Sequence, residues 1–490
     1  MKAIKFFSLC LLGSALSFTT QAQTLTELYN LSISTDPQWL AIKENYHADQ
    51  ELKNQAKSLL KPNVGITYSK IRTTQDSPGI GAGSHDDLNQ ELTACLDDLG
   101  NVTPNCNADI IKFILDGGNM LQLNEEGSSK QSTIVDSFAI QFQQPLFNLE
   151  NWNRYKTAEF IDAKYSAEYQ LSKQMFVLRI AEAYFGTLRA EEELTFVQKE
   201  QEGIHRQLTQ AKQRYNEGIS GISDVHEAQS AYDSSRTAIL IAENAYESTL
   251  ETLNIITDGA HTTLSRLKEN FPVTAPQPVG MDNWVKLALQ GNKNMQSAFH
   301  MAKAAKHEVV EKNSKHAPTV DLVFKINNLK TDNGESAPFG SSGNLMSDKQ
   351  SNSLGIQVNI PLYSGGLTSS QVRQSIARSN AAKANLKAEQ RQVAAQARNT
   401  YRNVINDVQR VSLAKLAIKS SQNALMATQS GYRSGNRNLL DVLQAQRSLF
   451  AARRDYATAR YDYIINSLRL KQVSGFLSEV DLKLLDDWLQ

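Results

Sequence analysis

Few side chains in this 490-residue chain have the type and spacing to do chemistry. Its eight histidines are scattered, and no His-Glu-x-x-His, Gly-x-Ser-x-Gly or phosphate-loop pattern occurs. His300, His307, Glu308 and Glu311 fall on one helix face, where they read as solvated polar residues rather than metal ligands. Gly79, Gly81 and Gly83 resemble a phosphate loop only superficially, because no strand–helix context follows them. No catalytic residue, metal site or cofactor is expected. What remains is polar chemistry at two repeated turns, Arg214-Tyr215-Asn216-Glu217-Gly218 and Gly431-Tyr432-Arg433-Ser434-Gly435, each followed by an Asp-Val pair. On the residues alone, Asp224, Arg437 and Tyr432 read as an exposed surface ion pair with a packed tyrosine.

The elements that must position these groups begin outside the cytoplasm. Lys2 and Lys5 precede an apolar run from Ile4 to Phe18, and Thr20-Gln21-Ala22 supplies small residues at the cleavage positions. Residues 1–22 therefore read as a secretory signal peptide. In the exported chain Cys95 and Cys106 are expected to form a disulfide, since oxidising compartments preserve such bridges. Lysine plus arginine and aspartate plus glutamate both total 51, so the basic surplus of a nucleic-acid-binding chain is missing. No later segment offers eighteen uninterrupted apolar residues, which leaves a soluble exported protein or one that enters a membrane as strands.

The order of elements occurs twice. Gly218 and Gly435, Asp224 and Asp441, Val225 and Val442, and Tyr184 and Tyr401 all stand 217 residues apart. Earlier, Gln144-Pro145-Leu146-Phe147 answers Ile360-Pro361-Leu362-Tyr363. A colinear series of this kind indicates a tandem internal duplication. The expected division is residues 23–258 for the first repeat, a proline-rich connector over 259–281, residues 282–473 for the second repeat, and a C-terminal segment over 474–490. Pro272, Pro276 and Pro278 make the connector extended rather than helical.

Each half carries two segments of period-two alternation, expected as strands at about 62–75 and 133–147, then 317–330 and 352–363. Val64, Ile66 and Tyr68 alternate with Gly65, Thr67 and Ser69, and Leu354, Ile356 and Val358 alternate with Gly355, Gln357 and Asn359. A soluble half-buried sheet alternates in the same way. Export and the length of the apolar faces favour tilted membrane strands. Four strands cannot close a barrel, for which about eight is the practical minimum, and lipid tolerates no open edge. Several chains must then pool their strands.

Long helical stretches follow, from about Asn148 to Asn216 and from about Leu367 to Ser434, without an interrupting proline. At 1.5 Å per residue each is on the order of 100 Å long. Ala397, Val404, Val411, Ile418, Leu425 and Tyr432 recur every seven residues. The return helix keeps register through Val442, Leu449, Tyr456, Tyr463 and Leu470, broken only by Asn466. Gly218 and Gly435 mark turns between antiparallel helices.

With its duplication, four strands, long helices, proline connector and repeated Tyr-x-x-Gly…Asp-Val turn, the chain resembles the TolC family of outer-membrane channel proteins over essentially its whole mature length. That resemblance implies a mixed fold, a membrane β-barrel plus a long α-helical coiled-coil barrel. A homotrimer with four strands per chain would close one 12-stranded barrel and a 12-helix periplasmic tunnel. It also implies an outer-membrane location in a Gram-negative bacterium and partnership with an inner-membrane transporter and a periplasmic adaptor protein. The connector and the tail with Leu484, Leu485 and Trp488 would fall in a mixed equatorial region. Residue by residue, Tyr432 and Arg437 match the family's tethering residues, and Ser223 and Asp224 match their partners. The expected latch is an Arg437–Asp224 ion pair plus a Tyr432 hydroxyl bonded to the same carboxylate. Asp441 matches the pore-constriction aspartate, whereas Gln444 stands where the family commonly has a second one, which halves the acidic count. The competing expectation is an exported coiled-coil adaptor or structural spacer, which needs no membrane-like strands.

Overall fold

The first helix shows how local sequence sets a boundary. Thr24 Oγ1 accepts from the Glu27 N–H at 3.3 Å, and Glu27 Oε2 accepts from the Thr24 N–H at 3.0 Å, a reciprocal cap that starts α1 at Leu25. The structure, a computed structural model, describes residues 22–80, 126–261, 263–333 and 347–490. The signal-peptide reading for residues 1–21 and the Cys95–Cys106 pairing lie outside the described residues. In chain order the elements are α1 (Leu25–Thr35), α2 (Pro37–Ser58), β1 (Asn63–Ile80), β2 (Glu126–Phe147), α3 (Leu149–Asn216) and α4 (Ile222–Thr257). There follow α5 (Met281–Gly291), α6 (Lys293–Asn313), β3 (Thr319–Asn333), β4 (Ser347–Asn359), α7 (Leu367–Arg433), α8 (Leu439–Val473) and α9 (Glu479–Asp486). They fall into two compact units: a sheet unit of residues 57–151 and 315–364, and a helical unit formed by the rest.

The sheet unit is one antiparallel sheet in the order β1-β2-β3-β4. Register places Val64 opposite Phe142, Phe142 opposite Phe324, and Phe324 opposite Leu354; the next such row runs Ile66, Ile140, Ile326. Directly opposed residues share a face, so the first row is apolar across all four strands, while the second is apolar from β1 to β3 and meets Asn352 on β4. That face is open within the chain: Ile66 is 69% and Leu354 72% exposed. The opposite face carries Gln141, Lys325 and Ser353 in register with Gly65.

Both hairpins, and the far end of β4, differ from the expected strand boundaries. The first hairpin pairs beyond 75 and before 133, out to Ile80 opposite Glu126, through stretches whose sequence has no period-two alternation of apolar residues. The second pairs out to Thr331 opposite Ser347, starting β4 five residues before the expected position, for the same reason. At its other end β4 stops at Asn359 instead of 363. Pro361 has no N–H for the ladder, and Gly365 and Gly366 take positive φ angles of 62° and 83° that turn the chain into α7.

In the helical unit, α3 and α7 run unbroken for 68 and 67 residues. Val404 and Val411 of the seven-residue series are buried, as are Val442, Leu449 and Leu470 of the return helix. Asn466, the polar break in that return helix, is answered: its Nδ2 donates to Asp407 Oδ2 of α7 at 2.7 Å. The connector is held by tyrosines that stand 217 residues apart. Tyr184 Oη lies 2.8 Å from the Ser265 carbonyl and 3.0 Å from that of Gln23, while the Gly280 N–H donates to Tyr401 Oη at 3.1 Å. The tail returns to the connector, with Arg266 and Gln490 exchanging backbone hydrogen bonds of 2.9 Å and Phe271 meeting Trp488 edge-on. Leu482 and Leu489 are buried in the core with Leu25, Leu28 and Tyr184, Leu485 and Trp488 pack against it, and Leu484 is exposed.

Candidate functional site

The two helix turns repeat each other bond for bond. Ile219 N–H donates to the Arg214 carbonyl and Asn436 N–H to the Gly431 carbonyl, both at 2.8 Å. Gly218 N–H reaches the Tyr215 carbonyl at 2.9 Å and Gly435 N–H the Tyr432 carbonyl at 3.2 Å. Gly218 and Gly435 sit at φ 73° and 81°, the left-handed region that closes a helix C-terminus and that a side chain would strain. Asp224 and Asp441 then occupy the first turns of α4 and α8, where the helix dipole favours a negative charge. Asn438 Oδ1 caps α8 by accepting the Asp441 N–H at 2.8 Å.

Between these turns lies a small apolar cluster of Ile204, Leu208, Ala211, Ala228, Ala231, Leu439, Val442 and Leu443, with Tyr432 among them. Tyr432 is 6% exposed and its Oη reaches Asp224 Oδ2 at 3.5 Å. Burial, and then the Asp224 charge, raise its phenol above the usual tyrosine range, so Tyr432 keeps its proton and acts as the donor. Ser223 is exposed on the same helical turn and takes no part in that bond.

Arg437 departs from the expected pairing. Within the chain it meets Asp441 rather than Asp224, with Nη1 3.6 Å from Asp441 Oδ2, four residues on. Its aliphatic stem crosses Gly431, where a Cβ would stand only 2.8 Å from Arg437 Cγ. The crossing lays the guanidinium along the start of α8, beside that helix's own first-turn carboxylate. Most of the Arg437 side chain is exposed, so the pair is worth at most about 1 kcal/mol. Gln444 is exposed one turn beyond Asp441.

One member of this group is missing from the sequence reading. Arg214 puts its guanidinium carbon 4.9 Å from the centre of the Tyr432 ring. Its signal in the sequence is weak: its counterpart 217 residues on is Gly431, one of three differences between five-residue turns that share only the tyrosine and the last glycine.

A four-stranded sheet with an open apolar face and 68- and 67-residue helices ending at paired glycine turns are the parts of an outer-membrane channel subunit. The chain belongs to the outer membrane efflux protein family, whose pattern matches residues 111–257 and 284–476. It is 32% identical over 356 residues to Outer membrane protein TolC of Escherichia coli (strain K12), covering 72% of each chain. It is also 28% identical over 483 residues to Outer membrane protein TolC of Vibrio cholerae, covering 98% of this chain and 97% of that one. The crystal structure of the Campylobacter jejuni CmeC outer membrane channel shares the fold at a TM-score of 0.70 and 13% identity, over 97% of this chain and 95% of that one. The protein is therefore an outer-membrane efflux or secretion channel. The family is one of channels rather than enzymes, and the adaptor or spacer alternative is set aside.

Proposed function

We propose that three copies of the chain pool their strands into one 12-stranded barrel continued by a 12-helix tunnel across the periplasm. The assembly is a passive exit duct for drugs, toxins or secreted proteins, supplied with energy by an inner-membrane transporter and joined to it by a periplasmic adaptor protein. The observation that carries this reading is the sheet: apolar residues of one face are exposed on both outer strands, Ile66 of β1 and Leu354 of β4, and among the described residues β1 and β4 each pair with a single strand. A face of this kind needs lipid, and two open edges need further strands of the same sort. Detergent extraction tests it. A trimer released from outer membranes only by detergent, and forming pores in planar bilayers, is the expected result; a stable monomer in the aqueous periplasmic extract overturns it.

The duct is gated at the helix turns. Tyr432 bonded to Asp224, Arg437 at the start of α8, and Ser223 exposed beside Asp224 form a polar latch, in which the Tyr432–Asp224 bond costs about 1–3 kcal/mol to break and the exposed Arg437 pair at most about 1 kcal/mol. Within one chain Arg437 lies on Asp441, and its bond to a neighbouring copy's turn belongs to the assembled state. Tyr432→Phe combined with Arg437→Ser raises leak conductance about tenfold in single-channel recordings; conductance at the native level removes the latch. Asp441, repeated around a threefold axis, gathers negative potential at the narrowest point, and Gln444 leaves it as the single acidic ring there. In a potassium chloride gradient Asp441→Ala brings the reversal potential close to zero, and an unmoved reversal potential takes Asp441 out of the constriction.

A further inference from the structure

The Tyr432 ring has two polar neighbours, and the latch uses only one of them. Asp224 meets the hydroxyl at 3.5 Å, whereas Arg214 covers the ring, its guanidinium carbon 4.9 Å from the centroid. Arg214 ends α3, and its carbonyl accepts the N–H groups of Ile219 at 2.8 Å and Ser220 at 3.3 Å, which fixes the backbone that carries the side chain. Its Nε is buried with no hydrogen-bond partner. A guanidinium nitrogen left without a bond in a buried place is unfavourable, so hydrogen bonding by Nε does not account for its position. Attraction between a cation and an aromatic face does, and it strengthens where water is excluded.

The duplication points the same way. The counterpart of Arg214 is Gly431, the residue that Arg437 crosses, and the counterpart of the buried Tyr432 is Tyr215, which is 45% exposed. The two halves thus differ in what they bring to this place: one turn contributes Arg214, whose Nε is buried, and the other the buried tyrosine beneath it. The buried ring is clamped between α3, which supplies Arg214, and α4, which supplies Asp224.

We propose that Arg214 is a positioning residue of the gate, which holds the Tyr432 ring so that its hydroxyl faces Asp224 and so joins the end of α3 to the latch. The proposal rests on the latch reading above. It requires the flat guanidinium and not only its charge, because a lysine ammonium is a point charge without a face to stack.

Single-channel leak of the full assembled protein is the readout, with the helical melt followed by circular dichroism to separate gating from loss of structure. Arg214→Gln raises the leak about fivefold, with the melt at 37 °C unaffected. Arg214→Lys keeps the charge and recovers less than half of that change. In a Tyr432→Leu background, where the ring is gone, Arg214→Gln adds little. A leak at the native level in Arg214→Gln overturns the proposal, as does an undiminished effect in the Tyr432→Leu background. Should Arg214→Gln fail to assemble, Arg214→Lys is decisive: native leak in that variant overturns the proposal, and a raised leak supports it. Failure of the latch is distinguishable. If Tyr432→Phe with Arg437→Ser leaks normally while Arg214→Gln leaks, the hydroxyl bond is not the latch, and the assignment of Arg214 as the residue that aims that hydroxyl falls with it. If the latch pair leaks and Arg214→Gln does not, only the Arg214 assignment falls.

Discussion

An arginine in place of Ile66 lowers the stability of the membrane-inserted protein by about 2–4 kcal/mol, while an arginine at Thr67, one residue along, changes it by less than about 1 kcal/mol. The asymmetry follows from the pleat. Ile66 lies in register with Ile140 and Ile326, between Val64 and Tyr68 on the same face, and is 69% exposed in the single chain. Thr67 points to the other face, opposite Ala139, whose register partner is Asn327. Hydrocarbon against the first face makes a guanidinium there costly, and water against the second leaves it solvated. Urea unfolding from phospholipid vesicles, read by the gel mobility of folded protein, measures both. Equal costs at the two positions, or none at Ile66, would mean that this face does not meet lipid.

Sequence revealed patterns with a strong local period and missed pairings that depend on how two distant segments align. The strands were visible where the sequence alternates, as from Val64 to Tyr68, and invisible beyond Gln75, where it does not alternate although the backbone ladder continues to Ile80. The turns were visible because Gly218 and Gly435 mark them, each with an Asp-Val pair six residues on. The side-chain partners around them were not. Arg437 has two candidate carboxylates, and only the crossing over Gly431 places it on Asp441 within the chain. Arg214 and Tyr432 are 218 positions apart, and nothing in the order of letters states that one covers the other. Asn466 stood out as a fault in a heptad, but its partner lies on another helix, and their meeting depends on the relative shift of α7 and α8.

That last pair supports the second large effect. Asn466→Leu costs about 1–3 kcal/mol at neutral pH, because it takes the donor from a carboxylate that the helices keep from water. Asp407 is 7% exposed, and its Oδ2 accepts from Asn466 Nδ2 at 2.7 Å. Burial raises the Asp407 carboxyl above the usual carboxylate range; the Asn466 amide pulls it back, nearby Asp462 pushes it up, and Arg410 pulls it down. Arg410 is itself committed to Asp462 at 2.8 Å, and Arg189 lies 3.6 Å from the same carboxylate, so neither is free to replace the lost amide. A raised carboxyl holds its proton more tightly when folded than when unfolded. Stability therefore falls as pH rises from the ordinary carboxylate range through the raised value. Removing Asn466 takes away the largest influence that lowers the value, so the window widens upward and the deficit of Asn466→Leu shrinks as the pH falls and Asp407 becomes neutral. Asp407→Leu with Asn466→Leu removes the buried charge together with its partner, and that double variant melts at least as high as the native protein, with a flatter pH profile. The polar pair then serves to fix the relative register of α7 and α8, as a buried asparagine does in a coiled coil. Melting curves of the native protein and the two variants at pH 5 and pH 7.5 decide it: an Asn466→Leu variant as stable as the native protein, or one whose deficit is the same at both pH values, would show that Asp407 is not held as a buried carboxylate.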